Sequence, residues 1–206
     1  VRHALTFCLS FRRDIKANNS ADAVMFMGAD VTNFGGGGAE QRSSVAAVVG
    51  SYDLNFAKYA VRLSEQKNAN ESRQSQEIVL DLAEMSALLI ATFRKSTRVL
   101  PKRIVFYRDG VDSGQFQRVL DYELAALLSA CERVSPGYRP KITIVIAQKR
   151  HHVRFFPIHD ADKSGRHSNI PSGSVVSTQV TNKSQFDFYL CSHEAIQAYI
   201  EYRDNH

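Results

Sequence analysis

Short unbroken apolar runs alternate along the chain with longer stretches in which apolar residues recur every three or four positions. Val24-Met25-Phe26-Met27 is a run of the first kind and predicts a buried strand ending in Gly28-Ala29-Asp30. A polar loop containing Gly35-Gly36-Gly37-Gly38 follows. Val45 to Val49 and Tyr59 to Leu63 predict two more strands, separated by the turn residues Gly50-Ser51-Tyr52-Asp53. From Gln76 to Lys95 the residues Ile78, Leu82, Met85, Leu89 and Phe93 share one face of an amphipathic helix, and Pro101 closes that region. Ile104 to Tyr107 predicts a fourth strand, stopped by Arg108-Asp109-Gly110. A second helix then carries Phe116, Leu120, Leu124, Leu127 and Cys131 on its buried side, and Ile142 to Ala147 predicts a fifth strand. The order is β-β-β-α-β-α-β, with a polar loop from Asp160 to Ser172 and two further strands, Val175 to Val180 and Phe186 to Cys191. Such an order predicts an α/β fold, a mixed sheet flanked by helices with additional C-terminal strands.

Composition narrows this picture only modestly. At 206 residues, 44% hydrophobic and 23% charged, the chain fits one globular domain. No run reaches the roughly 18–20 apolar residues of a membrane span, so no membrane partner is expected. Cys8, Cys131 and Cys191 are odd in number and form no CxxC pair, which argues against a zinc knuckle or a disulfide framework and for a reducing, cytoplasmic setting. Residues 1–10 lack the basic start, long apolar core and cleavage site of a signal peptide and read as an internal starting point. The net charge of +5 becomes informative only through its location. Between Lys141 and His159 there is no acidic residue, whereas Lys141, Lys149, Arg150 and Arg154 are basic and three histidines add donors. A patch of this kind can track a phosphate backbone, although a bare charge run is more commonly a solvated face.

Three acids stand out. Asp30 and Asp109 each follow a buried strand, where α/β sheets commonly place ligand-handling groups. On neighbouring strands they would share a cation, and hard carboxylate oxygens suit Mg²⁺ or Mn²⁺. The plain alternative is a turn residue or a helix cap. Glu77, at the start of the first long helix, has an equally plain explanation in the helix dipole. Phe155, Phe156, Phe186, Phe188 and Tyr189 read as core packing rather than as base-stacking platforms, and Cys131 and Cys191 as small buried apolar residues.

Several blocks then carry a family resemblance. They are Met27-Gly28-Ala29-Asp30-Val31-Thr32, Ser44-Val45-Ala46-Ala47-Val48-Val49-Gly50-Ser51, Gln76-Glu77-Ile78, Phe106-Tyr107-Arg108-Asp109-Gly110-Val111, Gly114-Gln115-Phe116, Gln148-Lys149-Arg150-His151-His152 and Phe186-Asp187-Phe188-Tyr189-Leu190-Cys191-Ser192-His193. In this order they resemble the Piwi domain of eukaryotic Argonaute proteins over roughly residues 24–197. The resemblance implies a ribonuclease H-like fold. It further implies residues 1–23 as a lead-in from a preceding region, 24–197 as a Piwi domain lacking its C-terminal part, and 198–206 as a divergent end.

The same resemblance implies a two-metal endoribonuclease, or slicer, site in which Asp30 and Asp109 hold divalent cations and Glu77 completes the catalytic set. In slicing members a fourth ligand lies in a later block, which this chain does not show; His206 is the stand-in candidate. Asn33-Phe34 and the four glycines also depart from the family's His-Pro continuation. Lys149, Arg150 and His193 match residues that contact guide phosphates. The expected function is guide-directed RNA silencing with a small guide RNA, its complementary target RNA and silencing proteins as partners. The alternative is a module that binds guide and target without cutting and recruits partners.

Overall fold

The computed structural model describes residues 22–33, 43–67, 78–111, 113–149, 151–164, 169–182 and 186–193. The chain divides into two compact units, one through His151 and one from His152. Glu77, Arg150 and His206 lie outside the described residues.

In the first unit, β1 (Val24–Asn33), β2 (Ser43–Ser51) and β3 (Tyr59–Lys67) form an antiparallel meander. α1 (Leu82–Thr97) leads to β4 (Arg103–Asp109), and α2 (Phe116–Val134), entered through a 3₁₀ turn at Ser113–Gln115, leads to β5 (Lys141–Ala147). Five strands make one sheet in the order β3-β2-β1-β4-β5, with β4 parallel to both β1 and β5. The β-β-β-α-β-α-β order expected from the hydrophobic pattern is therefore present.

Strand alternation sorts the two faces of the sheet. Met25, Met27 and Ala29 of β1, Ala46 and Val48 of β2, and Ile104 and Phe106 of β4 pack with Leu82, Met85, Leu89, Ile90 and Phe93 of α1 and Leu127, Ala130 and Cys131 of α2. Side chains one position out of step face the other way, where Val24, Phe26 and Phe56 form a smaller cluster with Val105 and Tyr107. Phe26 meets Phe56 edge-on, with ring centroids 4.8 Å apart. Further along that second face, Val61 and Leu63 of β3 are exposed.

Several boundaries differ from the sequence-based expectation, each for a physical reason. β1 does not stop at Gly28. Its ladder to β2 continues to Asn33 opposite Ser44, so cross-strand pairing overrides the turn preference of Gly28-Ala29-Asp30. Asp30 accordingly lies within a strand, and Asp109 is the last residue of β4. α1 begins at Leu82, so Ile78, expected on its buried face, precedes the helix. On α2 the fully buried positions are Val119, Glu123, Leu127, Ala130 and Cys131, whereas Phe116, Leu120 and Leu124 are only half-buried.

In the second unit, the strands expected over Val175–Val180 and Phe186–Cys191 shrink to β6 (Val175–Val176) and β7 (Tyr189–Leu190), an antiparallel pair separate from the main sheet. Hydrogen bonds from Gly173 N to Cys191 O (2.7 Å) and from Cys191 N to Ser174 O (2.9 Å) extend this pairing. Phe155 packs edge-on to Tyr189 at 5.3 Å. Phe156 and Phe186, expected in a core, are 79% and 96% exposed, because two residue pairs of ladder create no second layer for them to enter.

Gly50 marks the closest approach of β2 to α1. A Cβ there would lie 2.7 Å from Met25 Cε and 3.4 Å from Leu89 Cβ. The Met25 methyl can swing aside, but Leu89 Cβ is fixed by the helix backbone. Gly50→Val, although it introduces a residue that favours strands, is therefore expected to lower the unfolding free energy by about 1–3 kcal/mol through overpacking. Urea denaturation checks this, and a variant as stable as the parent would show that the layers are not in contact at this point.

Candidate functional site

The parallel pairing of β1 with β4 sets Ala29 beside Arg108, so the next position on each strand holds Asp30 and Asp109. Both stand in register with Phe26 and Tyr107, on the sheet face turned away from α1 and α2. Gly110 follows Asp109 with φ of 77°, and a Cβ on it would lie 3.5 Å from Asp30 Oδ1. The two acids therefore sit side by side where the β1–β4 pairing ends, Asp30 within β1 and Asp109 at the end of β4, beside a turn that glycine enters without strain. Asp30 Oδ1 also accepts a 2.9 Å hydrogen bond from Val31 N.

A cation already faces this pair. β5 ends at Ala147 opposite Asp109, and two residues later the Lys149 ammonium forms an ion pair with Asp109 Oδ2. The Lys149 side chain is 59% exposed, so the pair is a weak one, worth about 0–1 kcal/mol. Lys149 is thus close enough to balance the acids and loosely enough held to be displaced by a stronger cation or drawn to a phosphate.

Beneath Asp109, on the helix side of the sheet, lies a different kind of ion pair. Arg108 Nε donates to Glu123 Oε1 of α2 at 2.8 Å with both side chains buried, and Arg108 Nη1 donates to the Asp109 carbonyl oxygen. Burial pushes the Glu123 carboxyl above the usual carboxylate range, opposed by the Arg108 guanidinium and the Val79 amide. Reading α2 one position out of phase hid this residue. The available signal was a charged side chain spaced four residues from both Val119 and Leu127, inside the apolar stripe.

The segment that follows residue 77 is anchored at the same end of the sheet. Ile78 packs with Val111 and Val119, two residues beyond Asp109 and within α2 respectively. Gln66 of β3 is buried and clamps this segment from both amide atoms: Nε2 donates to Ile78 O at 3.2 Å, and Oε1 accepts from Leu80 N at 2.7 Å. Ser64 Oγ adds a hydrogen bond to Asp81. In the second unit, His193 Nδ1 lies 2.9 Å from Ser192 Oγ and its carbonyl faces the Cys191 thiol. Among the described residues no group of three or more His, Cys, Asp or Glu side chains is arranged to hold a metal ion. None of their helices is long and apolar enough to cross a membrane.

A five-stranded mixed sheet with neighbouring carboxylates where the β1–β4 pairing ends, on the face opposite two covering helices, is a ribonuclease H-like arrangement. Residues 9–201 match the Piwi domain model, and the chain belongs to that family. It is similar to the C-terminal lobe of a budding yeast Argonaute, at 26% identity and a TM-score of 0.73 over 85% of this chain and 36% of that one. Kluyveromyces polysporus Argonaute, solved with a guide RNA, matches at 26% identity and a TM-score of 0.71 over 85% and 20% of the two chains. Drosophila Piwi matches at 25% identity and 0.61 over 84% and 21%. The chain thus spans about a fifth to a third of the length of these proteins.

Because the Lys149–Asp109 pair is exposed, Lys149→Ala is expected to change stability by less than about 1 kcal/mol. A larger drop in urea denaturation would make Lys149 a structural residue rather than a displaceable counter-ion.

Proposed function

We propose that this chain is the Piwi portion of an Argonaute-type protein that holds a small guide RNA and its complementary target, and that Asp30 and Asp109 form the core of an RNA-cleaving site. The adjacency of these two carboxylates on the parallel strands β1 and β4 carries the reading. Their hard oxygens match the preference of Mg²⁺ or Mn²⁺. Two neighbouring acids repel unless a cation neutralises them, and among the described residues an exposed lysine is the cation that meets them. Divalent metal ions supply charge neutralisation and in-line geometry to phosphoryl transfer.

The chain's own residues take the remaining roles. Asp30 and Asp109 bind the cations, and Gly110 makes the positive-φ turn that follows Asp109. Glu77 is the third acid, supported by its place in sequence next to Ile78, which packs on Val111. His206 remains a candidate for a fourth ligand. Lys149 and Arg150 engage guide phosphates as compact and forked cations respectively, and His193 does so as a hydrogen-bond donor. The free thiols of Cys131 and Cys191 accord with a cytoplasmic setting.

Incubation with a guide, a labelled complementary RNA and Mg²⁺ tests the reading. A single cut placed by the guide is expected. Retention of the duplex without a cut would assign the chain to the binding module that recruits silencing proteins, and cutting without a guide would make it a general nuclease. Asp109→Ala is expected to reduce cleavage about a thousand-fold or more with duplex binding retained, since members of such a site act as a unit. Replacing both Lys149 and Arg150 by Ala is expected to flatten the salt dependence of RNA binding, by about 0.7 in log–log slope for each phosphate that is no longer neutralised. An unchanged slope would place both side chains in solvent.

A further inference from the structure

Arg108 and Glu123 are 1% and 0% exposed, and their pairing links the end of β4 to α2. A buried ion pair is a poor way to gain stability, because hydrophobic residues of similar volume commonly serve as well or better. The second bond of Arg108 is more telling. The guanidinium fork, held by Glu123 through Nε, extends Nη1 to the carbonyl oxygen of Asp109. Asp109 is the last residue of β4, and Gly110, the most freely rotating residue type, comes next with φ of 77°. The β4–β5 ladder ends at this residue, opposite Ala147, and the Arg108 hydrogen bond adds a side-chain hold on the peptide that leads into the glycine. The fork grips it from the helix side of the sheet, while the carboxylate projects from the opposite face.

We propose that Arg108 is a positioning residue for the Asp109 carboxylate, and that Glu123 serves to hold Arg108 in place; this rests on reading Asp30 and Asp109 as a divalent-cation site. The chemistry is that of an outer partner that orients a ligand, whose removal commonly costs 10–100-fold in metal affinity. Lysine at position 108 would preserve the charge opposite Glu123 but has no second arm for the Asp109 carbonyl.

The test uses the full chain carrying Arg108→Lys, and separately Arg108→Met with Glu123→Leu. Two quantities are measured: amide hydrogen exchange over residues 109–111 without metal, and Mn²⁺ affinity by calorimetry. Both variants are expected to exchange about ten-fold or more faster at 109–111 with the sheet core protected as in the parent, and to bind Mn²⁺ about 10–100-fold more weakly. Unchanged exchange and Mn²⁺ affinity in Arg108→Lys would overturn the proposal, whatever happens to overall stability. If the double variant fails to fold, Arg108→Lys alone decides. Should the parent bind Mn²⁺ no better than Asp30→Asn with Asp109→Asn, the cation-site reading falls; faster exchange in Arg108→Lys would then still support the hold on the Asp109 peptide.

Discussion

The parallel register of β1 on β4 is the constraint from which the rest of this molecule's chemistry follows. It joins residues about eighty positions apart in sequence and brings Asp30 and Asp109 level with each other. A slip of one residue in either strand would send one carboxylate through the sheet into the layer of Leu82, Leu89 and Phe93. Burial on both faces supports that register: Met25, Met27, Ile104 and Phe106 fill the helix side, and Val24 and Phe26 pack with Phe56 on the other. The hydrophobic core and the polar site are thus two sides of one alternation.

Electrostatics is arranged in two layers around Asp109. On the open face, Lys149 balances it loosely in contact with water. On the closed face, Arg108 and Glu123 form a pair that water does not reach. The first kind of pairing can be exchanged for a metal ion or a phosphate at little cost; the second resists exchange because breaking it strands a charge in the interior. The movable and the fixed charges thus lie on opposite sides of the strand. Gln66 gives the neighbouring segment a comparable fixed base through neutral hydrogen bonds.

Family membership and the arrangement of Asp30 and Asp109 reinforce each other. The match to the Piwi domain covers nearly the whole chain, whereas the solved Argonaute and Piwi proteins extend far beyond the region shared with it. Fold and family are thus secure at the level of this chain, and the activity of a whole Argonaute-type protein is a proposal that rests on its few site residues.

Much of this was legible from the amino acids alone. Unbroken apolar runs such as Val24–Met27 and the three-and-four spacing of Leu82, Met85, Leu89 and Phe93 encode strand and helix through the local geometry of the backbone, so element type and order follow from sequence. Asp30 and Asp109 stood out because acids beside buried strands are conspicuous in one dimension. Boundaries were harder: β1 runs past Gly28 only because β2 is there to pair with it, and Ile78 leaves the helix to pack on Val111. Glu123 in the apolar stripe, Arg108 beneath Asp109, and Phe156 and Phe186 left in water are likewise decided by what lies opposite in space. Periodicity reports which face a residue occupies, whereas partnership between distant residues depends on strand register and layer packing, and those exist only once the chain has folded.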